Sequence, residues 1–357
     1  MNLNATRWLA NTDPLLSWIC PQAPAPGPAA PLRLERFPPE AARLLAGQIG
    51  PLANLRSSSG CGVRLATDSP WVELLLDRLR HHQPGPVGVA LESQGGEPMD
   101  MLVADSPDLR GQDGTCGIRL PTGAVPGRLR TLTWWLPLIS TCTVSAVAVA
   151  MDAQVAIAPA PEAKWLAIGD RLTQGFCVQS PVQDWVSRVS RRLRLPAWNL
   201  GIGGIRIEPA VFAPALAAKA WDLVTIALGS NHCWKDADAA TAGARASELA
   251  ELAMSGGHKR VVWILPPWKP CEDGQGPPDF AGVILDRATG DRVRAVRAAM
   301  RDRLAGEPGL ELIEDLMPHD ARILPDGLHP LALGHGRYGD AVARALGAAP
   351  LTPGAAG

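Results

Sequence analysis

The chain has no excess of charge of either sign: 34 Lys and Arg stand against 35 Asp and Glu, for a net charge of −1. Without a basic surplus to neutralise phosphates, a general nucleic-acid binder is excluded. The one basic run, RVSRRLRL (188–195), sets its arginines on the outer face of a helix, where solvation accounts for them. No C-x-x-C pair occurs. The seven cysteines (20, 61, 116, 142, 177, 233, 271) are scattered and odd in number, which suits reduced thiols in a cytoplasm rather than a disulfide framework. Zinc-ligand spacing is missing too: His81 and His82 are adjacent, with no cysteine at ligand distance. No metal and no other cofactor is expected. A secretory leader is also lacking, because MNLNATRWLANTDPLLSWICPQ has no basic start and its apolar part breaks at Asp13-Pro14. The longest apolar stretch, residues 132–151, contains Pro137 and several Ser and Thr. It reads as two strands rather than a membrane span, which needs about 20 apolar residues. No internal repeat is found. Abundant Ala, Gly, Pro and Arg suit a bacterium with a GC-rich genome, an association rather than a physical argument.

What is present is length and apolar content: 357 residues, 46% of them hydrophobic, enough for two domains with their own cores. Residues 1–31 are an N-terminal segment ending in a Pro/Ala linker, PQAPAPGPAAP, which favours extended backbone. Residues 32–157 form an all-β sandwich, jelly-roll-like, apart from a short helix near 40–48. Its strands include CGVRLAT, WVELLLD, VGVALES and CGIRLPTG, separated by turn sequences such as QPGP and GQDG. A second Pro/Ala stretch (157–163) closes it. From 160 to 349 the rhythm becomes strand, helix, strand, helix. The strands KWLAIG, AWNLG, DLVTIALG, RVVWILP and LELIED are near-continuous apolar runs, as in a parallel sheet covered on both faces. This is an α/β fold with three αβα layers. Residues 350–357 are a disordered tail.

Four polar or glycine-rich sites follow strands of that second domain: GDRLTQG (169–175), NLGIGG (199–204), LGSNH (228–232) and DGLHP (326–330). Strand C-termini in such sheets open onto one crevice. Together these blocks resemble the SGNH (GDSL) hydrolase superfamily, whose pattern is G-D-S-x-x-x-G, a glycine after the second strand, G-x-N and D-x-x-H. With the sandwich in front, the chain resembles two-domain bacterial esterases and acyltransferases of that type. The resemblance implies a flavodoxin-like αβα domain, acyl-transfer chemistry and a small oxygenated or acylated substrate. It implies His329 as base with Asp326 orienting it, since three residues apart a turn places the carboxylate under the imidazole. It implies oxyanion donors at the Gly204 backbone and the Asn231 side chain, with Asp170 and His232 beside them. After the fourth strand, LPPWKPCEDG reads as a substrate-facing loop that carries Trp268, Lys269 and Glu272.

The chain departs from the pattern where it matters most. Position 171, the family's nucleophilic serine, is Arg171; position 232, often Asp, is His232. A guanidinium has five donors and no lone pair to offer, so it is neither nucleophile nor base. Thr173, Cys177 and Cys233 are surrogates in principle; Cys233, two residues past Asn231, is the better placed, though a small packed residue is its ordinary role. Arg171 either holds an anion beside a neutral His329 or folds back onto Asp170 or Asp326 and plugs the site. The readings that follow are an SGNH-like enzyme working without a serine acyl-enzyme on a small anionic or acylated metabolite, and a catalytically silent binder of an anionic ligand or protein partner. Neither involves nucleic acid or membrane.

Overall fold

The computed structural model describes residues 5–22, 31–83, 85–94, 99–103, 112–234, 238–279 and 282–347. They divide into two compact units. The first draws on residues 5–38, 53–162 and 179–182, the second on 39–52, 163–178 and 183–347.

The first unit is two antiparallel sheets. One has β1 (Thr6–Ala10), β10 (Ser140–Ala150), β5 (Trp71–His81) and β8 (Gln112–Pro121) in that order, with β3 (Leu32–Arg33) on β10. The other runs β11 (Val155–Ala156), β4 (Gly62–Thr67), β9 (Arg130–Trp135), β6 (Val87–Ser93) and β7 (Met99–Val103), with β2 (Ser17–Ile19) on β4. Strand β5 shows the pattern that builds a sandwich: Val72, Leu74 and Leu76 are buried while Glu73 and Leu75 between them are half-exposed. Leu74 and Val147 from one sheet share a core with Leu65 and Trp134 from the other. The apolar stretch at 132–151 is indeed two strands, the greater part of β9 and of β10. Residues 5–22, set apart from the sandwich on sequence grounds, supply β1 and β2 to it. All seven cysteines are free thiols, Cys20 and Cys61 facing each other at 3.6 Å.

The second unit carries a five-stranded sheet in the order β13 (Ala197–Gly201), β12 (Trp165–Gly169), β14 (Leu223–Ala227), β15 (Val261–Ile264), β16 (Leu310–Ile313), every pair parallel. This is the flavodoxin-like order 2-1-3-4-5, whose switch point lies between β12 and β14. All five residues of β12 are buried, which explains its uninterrupted apolar sequence. Trp165 is fully buried and spends its one polar atom on the Thr225 hydroxyl at 2.9 Å. Helices α4 (Trp185–Leu193) and α8 (Ala332–Gly347) pack together; Val186, Val189 and Val342 meet Trp165 and Val262 in one core. Helices α5 (Pro209–Ala217), α6 (Ala239–Met254) and α7 (Arg287–Leu304) form a second packed group. Short α1 (Pro39–Leu44) packs on α5, and α2 (Ile49–Leu55) follows it in the chain. Asp184, Asp238 and Asp286 cap α4, α6 and α7 through hydrogen bonds to backbone N–H groups. Among the described residues no helix is long and apolar enough to cross a membrane.

Candidate active site

The turn after β12 sets the geometry. Asp170 caps the four-residue helix α3 (Arg171–Gln174), its Oδ1 accepting the Leu172 N–H at 3.0 Å, and Gly175 ends it at φ 91°. Arg171 is therefore the first helical residue. Helix α3 presses on the next strand end: a Cβ on Gly201 would meet the Gln174 backbone nitrogen at 2.2 Å, so only glycine fits there. Asn199 stitches the two loops, donating to the Thr173 carbonyl at 2.8 Å and accepting the Gly201 N–H at 2.9 Å. Gln174 accepts the Gly203 N–H at 2.8 Å, and Gly204 takes φ 81°, a conformation costly for any residue with a Cβ.

The loop after β16 holds Asp326 and His329. Asp326 Oδ1 accepts the N–H groups of Leu328 (3.0 Å) and His329 (2.7 Å), and its Oδ2 meets His329 Nδ1 at 2.6 Å. A carboxylate only accepts, so Nδ1 carries the proton and Nε2 the lone pair when the ring is neutral. Burial pulls the His329 pKa below the usual imidazole value. Asp326 opposes this, and the cations Arg171 and Lys269 add to it. Burial pushes Asp326 upward, but its hydrogen bonds and charge interaction with His329 prevail and leave it below the usual carboxylate range.

Asp170, Arg171, Gly204, Asn231, Asp326 and His329 line a single cavity of about 480 Å³, within the usual size range for small-molecule sites. Arg171 pairs with neither Asp170 nor Asp326 among the described ion pairs. Its guanidinium lies over the Phe176 ring, 4.6 Å from the centroid, and Phe176 in turn tilts against the His329 ring at 4.6 Å. The Asn231 amide donates to the Ile205 carbonyl at 2.9 Å, which orients it on the wall. Asp170 is raised by burial, against the Leu172 N–H, the charge of Lys269 and a hydrogen bond from Ser230.

Three candidates are placed elsewhere. His232 is 3% exposed, accepts the Ile207 N–H at 3.0 Å, and is pulled down by burial to about 4. Cys233 is buried off the cavity wall, and desolvation pushes its thiol up to about 11, so the nucleophilic thiolate is disfavoured. Trp268 is buried, stacked on His319 and donating to Asp273. Of the other surrogates, Thr173 is fully buried, and the nearly buried Cys177 is raised by burial to about 12. Cavity-lining residues that sequence reasoning passed over include Phe176, Ser230 and Asp279. Ser230 was legible as the middle residue of the G-x-N block; Phe176, directly after a helix-ending glycine, was not. Among the described residues no group of three or more His, Cys, Asp or Glu is gathered to hold a metal ion.

Comparison with known proteins agrees with this architecture. Residues 167–337 match the family model of the GDSL-like lipase/acylhydrolases. No curated protein matches the chain in sequence. Among solved structures, the chain is similar to the salicylyl-acyltransferase SsfX3 of a tetracycline biosynthetic pathway: TM-score 0.73, 18% identity, over 98% of this chain and 99% of that one. It is similar to a Bacteroides ovatus protein named for its likeness to GDSL lipases, at TM-score 0.70 and 16% identity over 96% and 97% of the two chains. A family two carbohydrate esterase from Cellvibrio japonicus follows the same fold at TM-score 0.57 and 11% identity, over 96% and 97%. At such identities the likeness speaks for the fold. With the parallel sheet, the strand order and the matching residues in hand, residues 167–337 of this chain are a GDSL-like lipase/acylhydrolase domain.

Proposed function

We propose that the chain is an SGNH-type enzyme of acyl transfer, working on a small anionic or acylated metabolite by esterase, acyltransferase or other non-covalent chemistry. His329 is its base, Asp326 its orienting carboxylate, and Gly204 and Asn231 its oxyanion donors. Arg171 stands where the family's serine would form an acyl-enzyme. His329 Nε2 takes a proton from water or an acceptor hydroxyl, the resulting oxygen attacks the substrate carbonyl, and the charge on the carbonyl oxygen falls among N–H donors and the guanidinium. The proton then passes from His329 to the leaving group. An oriented general base supplies about 10²–10⁴ in rate, enough for useful turnover without covalent catalysis. The observation that carries the reading is the 2.6 Å Asp326–His329 pair opening onto the same cavity as Arg171; a binder has no need of an oriented base. The salicylyl-acyltransferase and carbohydrate esterase among its structural likenesses supply the chemical class. The second reading, a silent binder of an anion or a protein partner, is favoured by the missing nucleophile alone.

Arg171→Ser should gain hydrolysis of short p-nitrophenyl esters and become labelled by a fluorophosphonate, whereas the native chain stays unlabelled. Native turnover should vanish in His329→Ala. Labelling of the native chain, or turnover indifferent to His329, would overturn the reading.

A further inference from the structure

We propose that Lys269 is a second anion-binding residue of the crevice, and that the substrate carries a free carboxylate besides the carbonyl that reacts. This rests on the acyl-transfer reading above and narrows its substrate class.

Lys269 is only 6% exposed, yet it lines the cavity. Among the described residues its ammonium makes no ion pair and no hydrogen bond. The acid nearest in sequence is committed elsewhere: Glu272 takes two 2.8 Å hydrogen bonds from Arg297, and its Oε1 also accepts the Lys269 backbone N–H at 2.9 Å. The same clamp holds the loop stiffly against α7, so the lysine stem is placed before any ligand arrives. Asp170 feels the charge of Lys269 but is satisfied by the Leu172 N–H and the Ser230 hydroxyl. With no protein partner among the described residues, the ammonium at the cavity wall is left for water or a ligand in the cavity to solvate. Water does so in the free protein, and an anionic group does so better, because charge-assisted hydrogen bonds are the stronger kind.

The sheet sets the spacing. Arg171 follows β12, Ser230 and Asn231 follow β14, and Lys269 follows β15, with β14 between the two cation-bearing strands. Neighbouring strands are about 4.8 Å apart, so the two strand ends lie about 10 Å apart. That span matches two charged points on one small molecule: a carbonyl whose developing charge falls near Arg171 and Asn231, and a carboxylate some bonds away against Lys269. The chemical class is a half-ester, or another acyl derivative, of a dicarboxylic acid. A fully neutral acyl ester leaves Lys269 unmatched.

The test is a binding comparison that needs no turnover. Monomethyl succinate and dimethyl succinate are titrated calorimetrically into the full-length native protein and into Lys269→Met and Lys269→Arg. The monoester should bind the native chain at least tenfold more tightly than the diester; Lys269→Met should lose at least tenfold for the monoester and nothing for the diester; Lys269→Arg should recover most of the loss. Equal affinity for the two esters in the native protein overturns the proposal without reference to any variant, and so does absence of monoester binding. The two readings fail separately. If Arg171→Ser hydrolyses neutral esters but its KM ratio for charged over neutral ester is unmoved by Lys269→Met, the carboxylate assignment alone is lost. If Arg171→Ser hydrolyses nothing while the native chain still discriminates by charge, the anion site stands and the acyl-transfer reading falls.

Discussion

At the residue scale the site turns on three side chains in a row, Arg171, Phe176 and His329. The guanidinium lies over the phenyl ring, and the phenyl ring meets the imidazole at a tilt of 57°. This keeps a permanent cation close to the His329 imidazole with no hydrogen bond between them among the described residues. Burial is the larger cause of the lowered His329 pKa, and Arg171 adds to it because two like charges disfavour each other. The sign of a test follows. Arg171→Gln removes the neighbouring charge, so His329 should titrate at higher pH than in the native protein, while both stay below the value in Asp326-free peptides only if burial dominates. The imidazole C–H resonance followed by NMR reads this directly; a midpoint that falls or stays put in Arg171→Gln would place the guanidinium too far away to matter. In activity the same change should carry the acid limb of the pH–rate profile upward.

At the element scale the loop between β15 and α7 matters most, because it brings Lys269 to the crevice. Its anchor is Glu272, whose side chain is 5% exposed against 16% for Arg297. Arg297 also donates from Nε to the Pro266 carbonyl at 2.9 Å, so one guanidinium holds the loop at two points either side of Lys269. Removing one partner of such a pair leaves a buried charge uncompensated and costs about 3–5 kcal/mol. Glu272→Ala should therefore lower the urea midpoint strongly, and the double variant Glu272→Met, Arg297→Met should recover much of it. A single variant as stable as the native protein would show that the clamp is solvated. This element was only partly legible. The proline-rich sequence LPPWKPCEDG announced a loop after a strand, but not that Glu272 turns inward to a helix some twenty residues later. Helix α5 was missed for a local reason: Pro214 sits inside it, and proline costs about 3 kcal/mol in a helix interior, so sequence reasoning passes over what packing enforces. Strands β1 and β2 escaped notice because each is short and finds its pairing more than forty residues away, on β10 and β4.

At the scale of the molecule, acid should weaken the α/β unit earlier than its carboxylates would dictate. His232 and His335 are buried and neutral, held by desolvation near about 4 and about 3. In the unfolded chain each titrates near about 6.5. Below that pH the unfolded state takes up protons that the folded state refuses, so stability falls until the folded values are reached. Each contributes a loss of about 2 kcal/mol by pH 5. Asp170 and Asp184 run the other way: burial raises both, so they favour the fold as pH drops through the carboxylate range. Asp326 is lowered, and its contribution is lost only as pH falls through that lowered value. Urea midpoints should thus decline between pH 7 and 5. His335→Gln should flatten that slope if the glutamine keeps a hydrogen bond to the Phe176 carbonyl, which His335 Nε2 now meets at 3.1 Å. Equal slopes for the two proteins would exclude His335 as a source.

By itself the sequence determined the kinds of group available and their order: two stretches of different rhythm, a D-x-x-H turn, a G-x-N turn, and an arginine directly after Asp170. These are local facts, readable within a few residues because turn geometry and strand patterning act over that range. Only the tertiary structure decided which groups share a cavity. In the short turn after β14, Ser230 and Asn231 face the crevice while His232 and Cys233, next in the chain, are buried away from it. Arg171, Asn231, Lys269 and His329 reach it from the ends of different strands, far apart in sequence. The physical reason is that burial and charge proximity are set by packing between remote segments, and it is packing that lowers the His329 pKa and raises that of the Cys233 thiol.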